Sequence, residues 1–146
     1  MPTFSTNKKA RFDYEIIETI EAGIELFGHE AKSVRLGRMV LVGSYGVIQN
    51  GELWLLNSEI PPYQAANLTT EYHPSRSRKI LVSKKELTDL IRRMEAERLV
   101  LIPLSAYEKN RKIKIELGLA KPRKNHDKRE AIKRREISRE IGKKIK

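Results

Sequence analysis

The last 26 residues, 121–146, cannot contribute to a hydrophobic core. They hold twelve Lys or Arg against four Asp or Glu, so they carry +8 of the chain's net charge of +11. The apolar residues beyond Ala131 are four isoleucines, of which Ile137, Ile141 and Ile145 are spaced four apart. A stripe of that size buries too little area to offset a backbone ordering cost of roughly 1–2 kcal/mol per residue. The pattern therefore predicts a segment that is disordered alone and helical only on a surface that supplies counter-charge.

Residues 1–120 are nearly balanced in charge, with 18 basic and 15 acidic side chains. A segment of this length fits one folded domain with one hydrophobic core. We therefore expect an RNA-binding domain over residues 1–120 and a basic tail over residues 121–146. A balanced body followed by a strongly basic arm is typical of a protein that binds a polyanion, and RNA is the polyanion we expect. A solvated tail that only aids solubility is the alternative that composition leaves open.

The sequence argues against several other classes of protein. No apolar run approaches the roughly 18 residues that span a bilayer, and residues 1–11 lack the apolar stretch of a secretory signal. Cysteine is absent, which excludes disulfides and suits a reducing compartment. His29, His73 and His126 lie far apart and lack the spacing of metal ligands. We expect a cytoplasmic protein without a membrane segment, metal or cofactor.

Short β-branched runs dominate the first 120 residues. Residues 14–27 predict two short strands, or one strand that bends at Gly23. Two apolar runs, 40–48 and 53–56, flank Asn50-Gly51, which favours a type I′ hairpin because both residues tolerate positive φ. Further strands are expected at 78–82, 99–104 and 113–119, the last two as a hairpin about residues 108–111, with a loop over 64–77.

Two helices are expected among these strands. Residues 29–36 predict a short helix, which Gly37 ends. Ser83 and Glu86 form a capping box that begins a longer helix, whose apolar face consists of Leu87, Leu90, Ile91 and Met94. The predicted fold is mainly β: an antiparallel barrel of the oligonucleotide-binding type with one long and one short helix. A β-sandwich is the alternative that the pattern alone does not exclude.

No arrangement of residues points to catalysis, because the sequence has no Gly-rich phosphate loop, no nucleophile elbow and no histidine in a triad order. An enzyme is therefore not expected. Basic clusters at 7–11, at 76–79 and at Arg92-Arg93, on a chain with a pI of about 9.9, favour nucleic acid. Lys112 and Lys114 alternate on one strand and indicate either a solvated face or an RNA groove. Aromatic residues are sparse, which favours recognition of a folded RNA by its shape and phosphates.

Eight groups of residues occur in the order and spacing of a known family. They are Asn7-Lys8-Lys9-Ala10 with Asp13-Tyr14; Glu21-Ala22-Gly23-Ile24; Gly28 with Glu30, Lys32-Ser33 and Arg35; Gly51-Glu52; Ile60 with Pro62-Tyr63; Pro74 with Arg76 and Arg78-Lys79; Pro103-Leu104 with Tyr107; and Gly118-Leu119-Ala120-Lys121 with His126-Asp127-Lys128-Arg129. In these groups the sequence resembles the SsrA-binding protein (SmpB) family, the bacterial partners of transfer-messenger RNA. The resemblance extends over essentially the whole chain.

The resemblance implies a monomeric oligonucleotide-binding barrel with added helices that is not an enzyme. Members of the family hold the tRNA-like domain of transfer-messenger RNA and deliver it to ribosomes stalled on messages without a stop codon. Their tail becomes helical in the vacant mRNA channel, and the residues here implied to reach the decoding centre are His126, Asp127, Lys128, Arg129, Lys133 and Arg134. Another RNA-binding β-barrel, such as a translation factor or a ribosomal protein whose tail threads rRNA, is the alternative.

Ten residues of the body are implied to bind the RNA: Asn7, Lys8, Lys9, Glu21, Glu30, Lys32, Arg76, Arg78, Lys79 and Leu81. Phosphate contacts are expected from Lys8, Lys9, Arg76, Arg78 and Lys79. Glu21 must accept hydrogen bonds from base or 2′-OH donors, because a phosphate would repel a carboxylate. Stabilisation of a bend is the alternative role for Glu21, and core packing is the alternative for Leu81. Pro122 replaces the glycine usual in the family and is expected to stiffen the hinge between barrel and tail.

Overall fold

The computed structural model describes residues 2–64 and 71–123 of the chain. Seven strands and three helices lie within these residues, in the order β1 (Thr3–Thr6), α1 (Ala10–Asp13), β2 (Tyr14–Ile24), α2 (Gly28–Arg35), β3 (Tyr45–Gln49), β4 (Glu52–Leu56), β5 (Arg78–Leu81), α3 (Lys84–Glu97), β6 (Val100–Lys109) and β7 (Lys112–Pro122). None of these helices is long and apolar enough to cross a membrane.

The strands close into an antiparallel barrel. Their order across the sheet is β1-β6-β3-β4-β5-β2-β7, and β6 also pairs with β7, so strands β2 to β7 form a ring. β6 takes part in three pairings: it pairs with β7 along its length, with β3 at Leu101, and with β1 at Ser105, Ala106 and Tyr107. This closure confirms the predicted barrel and excludes the sandwich.

The hydrophobic core fills the inside of this ring. Its fully buried members include Leu53, Leu55, Leu101, Ile115 and Leu117, each at most 1% exposed. From Lys112 to Leu117 the buried residues of β7 alternate with outward-facing ones, as the sequence pattern predicted, and the next three residues are all buried. The alternation gives the barrel a polar outer face on β7, which the candidate site uses.

Two tight turns and one close approach shape the ring. Asn50 and Gly51 have φ of +52° and +72°, which confirms the predicted hairpin between β3 and β4. Asn110 lies in the turn between β6 and β7, also with positive φ. Where β3 meets β6, a Cβ built on Gly46 would lie 2.8 Å from the Leu101 side chain. The barrel therefore has no room for a side chain at Gly46.

The two predicted helices are present with the predicted caps. Ser83 Oγ accepts from the Glu86 backbone N–H at 3.2 Å, and Glu86 Oε1 accepts from the Ser83 N–H at 3.3 Å. Leu90 is buried, and Leu87 and Met94 pack against the same core, so three of the four predicted residues of α3 face the barrel. Ile91, the fourth, lies instead beside Thr88 and Arg92. α2 spans residues Gly28–Arg35, close to its predicted bounds.

Other boundaries differ from the sequence prediction. β2 is one continuous strand, and its register shift lies between Ile16 and Glu18 rather than at Gly23. The run predicted over 40–48 begins its strand only at Tyr45, while Val40 forms an isolated bridge. β1 and α1 were not predicted, because a polar four-residue strand and a four-residue helix carry little periodic signal.

The end of the described chain also differs from the prediction. β7 continues through Lys121 and Pro122, past the predicted domain boundary at residue 120, and pairs there with the start of β2. Pro122 is therefore the last residue of a strand rather than a residue of a hinge. The predictions of a disordered and inducibly helical tail fall on residues 124–146, which lie outside the described part of the chain.

Candidate nucleic-acid interface

A carboxylate and two of its donors lie on the outer face of β2, β7 and β6. Strand register places Glu21 opposite Glu116 on β7, and Lys114 on β7 opposite Tyr107 on β6. Tyr107 and Glu21 therefore meet diagonally across β7, where the Tyr107 hydroxyl donates to Glu21 Oε2. Lys109 Nζ donates to the same carboxylate, 3.3 Å from Oε1 and 3.4 Å from Oε2. Three strands thus converge on one partly exposed carboxylate.

This arrangement fixes the charge state of both partners. The hydrogen bond from Tyr107 is the main reason that the pKa of Glu21 is lowered. Burial opposes this shift, while Lys109 and Lys114 lower the pKa further. Burial and the Glu21 carboxylate raise the pKa of Tyr107 well above its usual range. At neutral pH the site is an ionised carboxylate that accepts hydrogen bonds and a phenol that stays protonated.

A shallow hollow of about 330 Å³ adjoins the Glu21 site. Gly23 on β2 pairs with Leu81 on β5, and both residues line the hollow together with Arg35, Lys112 and Lys114. The Leu81 side chain is 47% exposed, so core packing is the wrong alternative for this residue. The hollow offers an apolar floor and a rim of three cations, a combination suited to a nucleotide.

A second groove, of about 380 Å³, lies further along the same strands. It is lined by Thr6, Asn7, Lys8, Arg11, Leu104, Ser105 and Glu116. Ser105 and Glu116 are paired across β6 and β7, so this groove borders the Glu21 site through Glu116. Lys8 is exposed in this groove and Lys9 is exposed beside it in the chain, as a phosphate contact requires.

Asn7 is buried rather than displayed. Its amide nitrogen donates to the backbone oxygens of Pro103 at 2.9 Å and Leu41 at 3.4 Å, and its backbone N–H donates to Leu104. Its Oδ1 is buried and accepts no hydrogen bond from residues 2–64 or 71–123. Asn7 therefore fixes the segment that carries Lys8 to β6, and only 6% of its surface is exposed.

The structure gives Glu30 and Arg78 a role in the interior. Both side chains are fully buried, with Arg78 Nη2 2.7 Å from Glu30 Oε2, and Arg76 Nη2 lies 2.5 Å from Glu30 Oε1. Burial would raise the pKa of Glu30, but hydrogen bonds from Arg76, the Phe27 backbone and Arg78 outweigh it and lower this pKa to about 2. The pair with Glu30 ties α2 to β5, and Arg78 also donates to the backbone oxygens of Ser58 and Pro74.

The expectation that Arg78 binds phosphate is therefore wrong, because an arginine with no exposed surface cannot reach a ligand. Glu30 is also fully buried, so the expectation that it lies on the RNA surface is wrong as well. Arg76 keeps 25% of its side chain exposed, and its guanidinium lies 4.0 Å from the centre of the Phe27 ring. It shares the single negative charge of Glu30 with Arg78, so the three side chains together keep a net positive charge.

The remaining predicted residues lie on the surface. Lys79 shares the outer face of β5 with Leu81 and pairs with Glu52 at 3.3 Å. Lys32 lies on α2 with its Nζ 5.6 Å from the centre of the Tyr63 ring. The tail residues His126, Asp127, Lys128, Arg129, Lys133 and Arg134 lie outside the described part of the chain.

The structure also adds residues that the sequence did not assign to the site. Tyr107 and Lys109 had no predicted role, and Arg35 was noted only as a motif residue. The alternation of β7 was visible in the sequence, but the register that brings β6 against Glu21 was not. Within residues 2–64 and 71–123, no group of three His, Cys, Asp or Glu side chains is placed to hold a metal ion.

Comparison with known proteins identifies the family. The model of the family described as "SmpB protein" matches residues 4–146. The chain belongs to the SmpB family. It is 47% identical over 140 residues to the SsrA-binding protein of Gloeothece citriformis, covering 96% of this chain and 90% of that relative. It is 50% identical over 140 residues to the SsrA-binding protein of Chlorobaculum tepidum, covering 95% and 88%.

A solved structure has the same fold as this SmpB family member. That chain is described under the heading "tmRNA-SmpB: a journey to the center of the bacterial ribosome". It is 41% identical in sequence, its TM-score is 0.68, and the match covers 87% of the present chain and 92% of the solved one. The identity and coverage exceed what a shared fold alone would give, and the predicted resemblance is confirmed.

Proposed function

We propose that this protein binds the tRNA-like domain of transfer-messenger RNA and delivers it to stalled bacterial ribosomes in the cytoplasm, as an RNA-binding protein and not as an enzyme. The observation that carries the proposal is the match, over most of both chains, to a structure described as tmRNA-SmpB in the bacterial ribosome. Relatives that cover nearly the whole chain are described as SsrA-binding proteins.

The outer face of β2, β5, β6 and β7 is the surface that we propose for the RNA. Lys8 at one end and Lys112 and Lys114 at the other bracket the Glu21 carboxylate, and Lys9 is exposed next to Lys8 in the chain. Lysines in this arrangement neutralise phosphates, while an ionised carboxylate between them accepts hydrogen bonds from base or sugar donors. On this surface the charges of the lysines supply affinity for the RNA, and the Glu21 carboxylate supplies selectivity for its base and sugar groups.

The tail is proposed to act in a second step. Residues 121–146 carry +8, and rRNA supplies the matching negative charge. In the proposal His126, Asp127, Lys128 and Arg129 reach the decoding centre after the barrel has brought the RNA to the ribosome. Binding of the RNA and action on the ribosome then depend on different parts of the chain.

The test is recovery of RNA from cells with the tagged protein, followed by sequencing. Enrichment of one tRNA-like RNA of the transfer-messenger type is expected. A variant in which Lys112 and Lys114 are both alanine is expected to recover less of this RNA, while Lys84→Ala with Lys85→Ala, which removes the same charge from α3, serves as the matched control. Recovery of ribosomal RNA alone would contradict the proposal.

A further inference from the structure

Phe27, which connects β2 to α2, is an aromatic residue that the fold leaves on the surface. It is 53% exposed, the largest value for an aromatic residue among residues 2–64 and 71–123, and Tyr45 follows at 38%. Its ring belongs to neither of the two clusters of core residues. Core packing therefore does not explain why an aromatic side chain stands at this position.

The Phe27 ring has a cation on one face. The Arg76 guanidinium lies over the ring, 4.0 Å from its centre, where the electrons of an aromatic face attract a positive charge. More than half of the Phe27 surface nevertheless remains open to solvent. The ring and the guanidinium, which we call the Phe27 platform, thus keep an area on which a flat ligand can stack.

The buried Glu30 carboxylate holds both members of the Phe27 platform. Arg76 donates through Nη2 to Glu30 Oε1 at 2.5 Å and through Nε to Oε2 at 3.1 Å, and two such bonds fix the plane of the guanidinium. The backbone N–H of Phe27 donates to the same Oε1 at 2.8 Å. Groups that are ordered before a ligand arrives lose little conformational entropy on binding. The platform is therefore preorganised.

The chemistry of the Phe27 platform favours an unpaired nucleobase. Bases stack on aromatic side chains, and an unpaired base has a face free to do so. Glu30, Arg76 and Arg78 together keep a net positive charge, which attracts the phosphates on either side of such a base. An apolar side chain of a partner protein would cover the ring but would gain nothing from this charge.

We propose that the Phe27 platform stacks one unpaired base of an RNA, at a site separate from the Glu21 carboxylate. Phe27 and Arg76 line neither the hollow beside Glu21 nor the second groove. The inference rests on the proposed function, because the base must come from an RNA that the protein meets in that role. Transfer-messenger RNA and ribosomal RNA are the two sources, and the experiment separates them.

Affinity measurements test the stack. The full-length protein is titrated with a transfer-messenger RNA transcript in one arm and with small ribosomal subunits in the other. Phe27→Ala and Phe27→Leu are expected to weaken binding by about tenfold in at least one arm, as the loss of one stacked base implies, and the affected arm identifies the source. Phe27→Tyr keeps the ring and should bind within about twofold of wild type. Leu36→Ala removes an apolar side chain of similar exposure, 55%, from the other end of α2 and is the matched control.

Each outcome of these titrations has a separate meaning, and melting temperatures verify that the variants are folded. Unchanged affinity of Phe27→Ala in both arms would overturn the inference. Full affinity of Phe27→Leu would also overturn it, because an aliphatic side chain cannot replace a stacked ring. A wild type that fails to bind the transcript would overturn the proposed function instead.

Photocrosslinking tests the contact directly. The photoreactive residue p-benzoylphenylalanine replaces Phe27, the complex with the affected RNA is irradiated, and the joined nucleotide is mapped by primer extension. The crosslink is expected at a nucleotide whose base reacts with probes of unpaired bases in the free RNA. A crosslink to a base-paired nucleotide, or to ribosomal protein alone, would overturn the inference.

Discussion

Replacing Arg78 with alanine is expected to damage the fold and not the salt dependence of RNA binding. The Arg78 guanidinium is fully buried and donates to Glu30 Oε2 at 2.7 and 2.9 Å, as well as to the backbone oxygens of Ser58, Pro74 and Arg76. Alanine removes the Arg78 donor from all of these acceptors and leaves the buried Glu30 paired with Arg76.

The expected loss follows from these contacts. Removing one partner of a buried ion pair costs about 3–5 kcal/mol. Because Arg76 still pairs with Glu30 and water enters the vacated space, we expect the unfolding free energy to fall by about 4 kcal/mol. This is a large fraction of a total stability of about 5–15 kcal/mol. At about 4 °C per kcal/mol, Tm should fall by about 15 °C.

Thermal unfolding of Arg78→Ala and Lys79→Ala measures this difference. Lys79 is the neighbouring cation, and its pair with Glu52 is exposed, so its loss is expected to cost less than about 1 kcal/mol. Below both melting temperatures, Lys79→Ala should reduce the slope of log K against log salt by about one, and Arg78→Ala should not change that slope. An Arg78→Ala variant with unchanged Tm and a reduced slope would refute the structural role.

Acid should weaken the same contact in the wild-type protein. The pKa of Glu30 is lowered from 4.5 to about 2 in the folded state. The stabilisation that the ionised Glu30 carboxylate gives the folded state is therefore fully present above pH 4.5 and is lost as pH falls toward 2. For a fully buried carboxylate this difference amounts to about 3 kcal/mol of unfolding free energy. Denaturant titrations at several pH values should show a smaller acid-dependent loss in Glu30→Gln than in wild type. Equal losses in the two proteins would contradict the assignment.

Three further outcomes follow from the packing of the barrel. Gly46→Ala should destabilise the protein by about 1–3 kcal/mol in chemical denaturation, since its Cβ would meet Leu101, and an unchanged midpoint would contradict the close approach. Leu81→Ala should weaken RNA binding with little effect on Tm, whereas Leu53→Ala, at a buried position, should lower the unfolding free energy by about 2–5 kcal/mol. Equal Tm losses in the two variants would contradict the exposure of Leu81. A chain that ends at Arg123 should keep its RNA affinity within about tenfold while losing rescue of stalled ribosomes, and a greater loss of affinity would contradict the division between barrel and tail.

Features set by local physics could be predicted from the sequence. Asn50-Gly51 determines a hairpin because both positions need positive φ, and both have it. The cap of α3 is likewise local, since Ser83 and Glu86 bond each other's backbone N–H groups. β1 could not be predicted, because its stability comes from pairing with residues about a hundred positions away.

In the candidate site, too, contacts between residues distant in sequence could not be predicted. Alternation along β5 places Arg78 and Ile80 on the inner face and Lys79 and Leu81 on the outer face, so the burial of Arg78 was within reach of the sequence pattern. Its partner Glu30 was not, because the two residues lie 48 positions apart and are joined only by the packing of α2 against β5. The contact between Tyr107 and Glu21, 86 positions apart, depends on register in the same way.

The pairing of β2 with β7 determines when the RNA-binding surface can exist. β2 contributes Glu21 early in the chain, but its partner strand is the last one described, ending at Pro122. Contacts between such distant segments form slowly, because the conformational entropy of closing a long loop is lost before the contacts stabilise the chain. During synthesis Glu21 therefore lacks its neighbours on β6 and β7 until nearly the whole barrel has left the ribosome. We therefore expect the complete RNA-binding surface to form only when β7 has paired with β2.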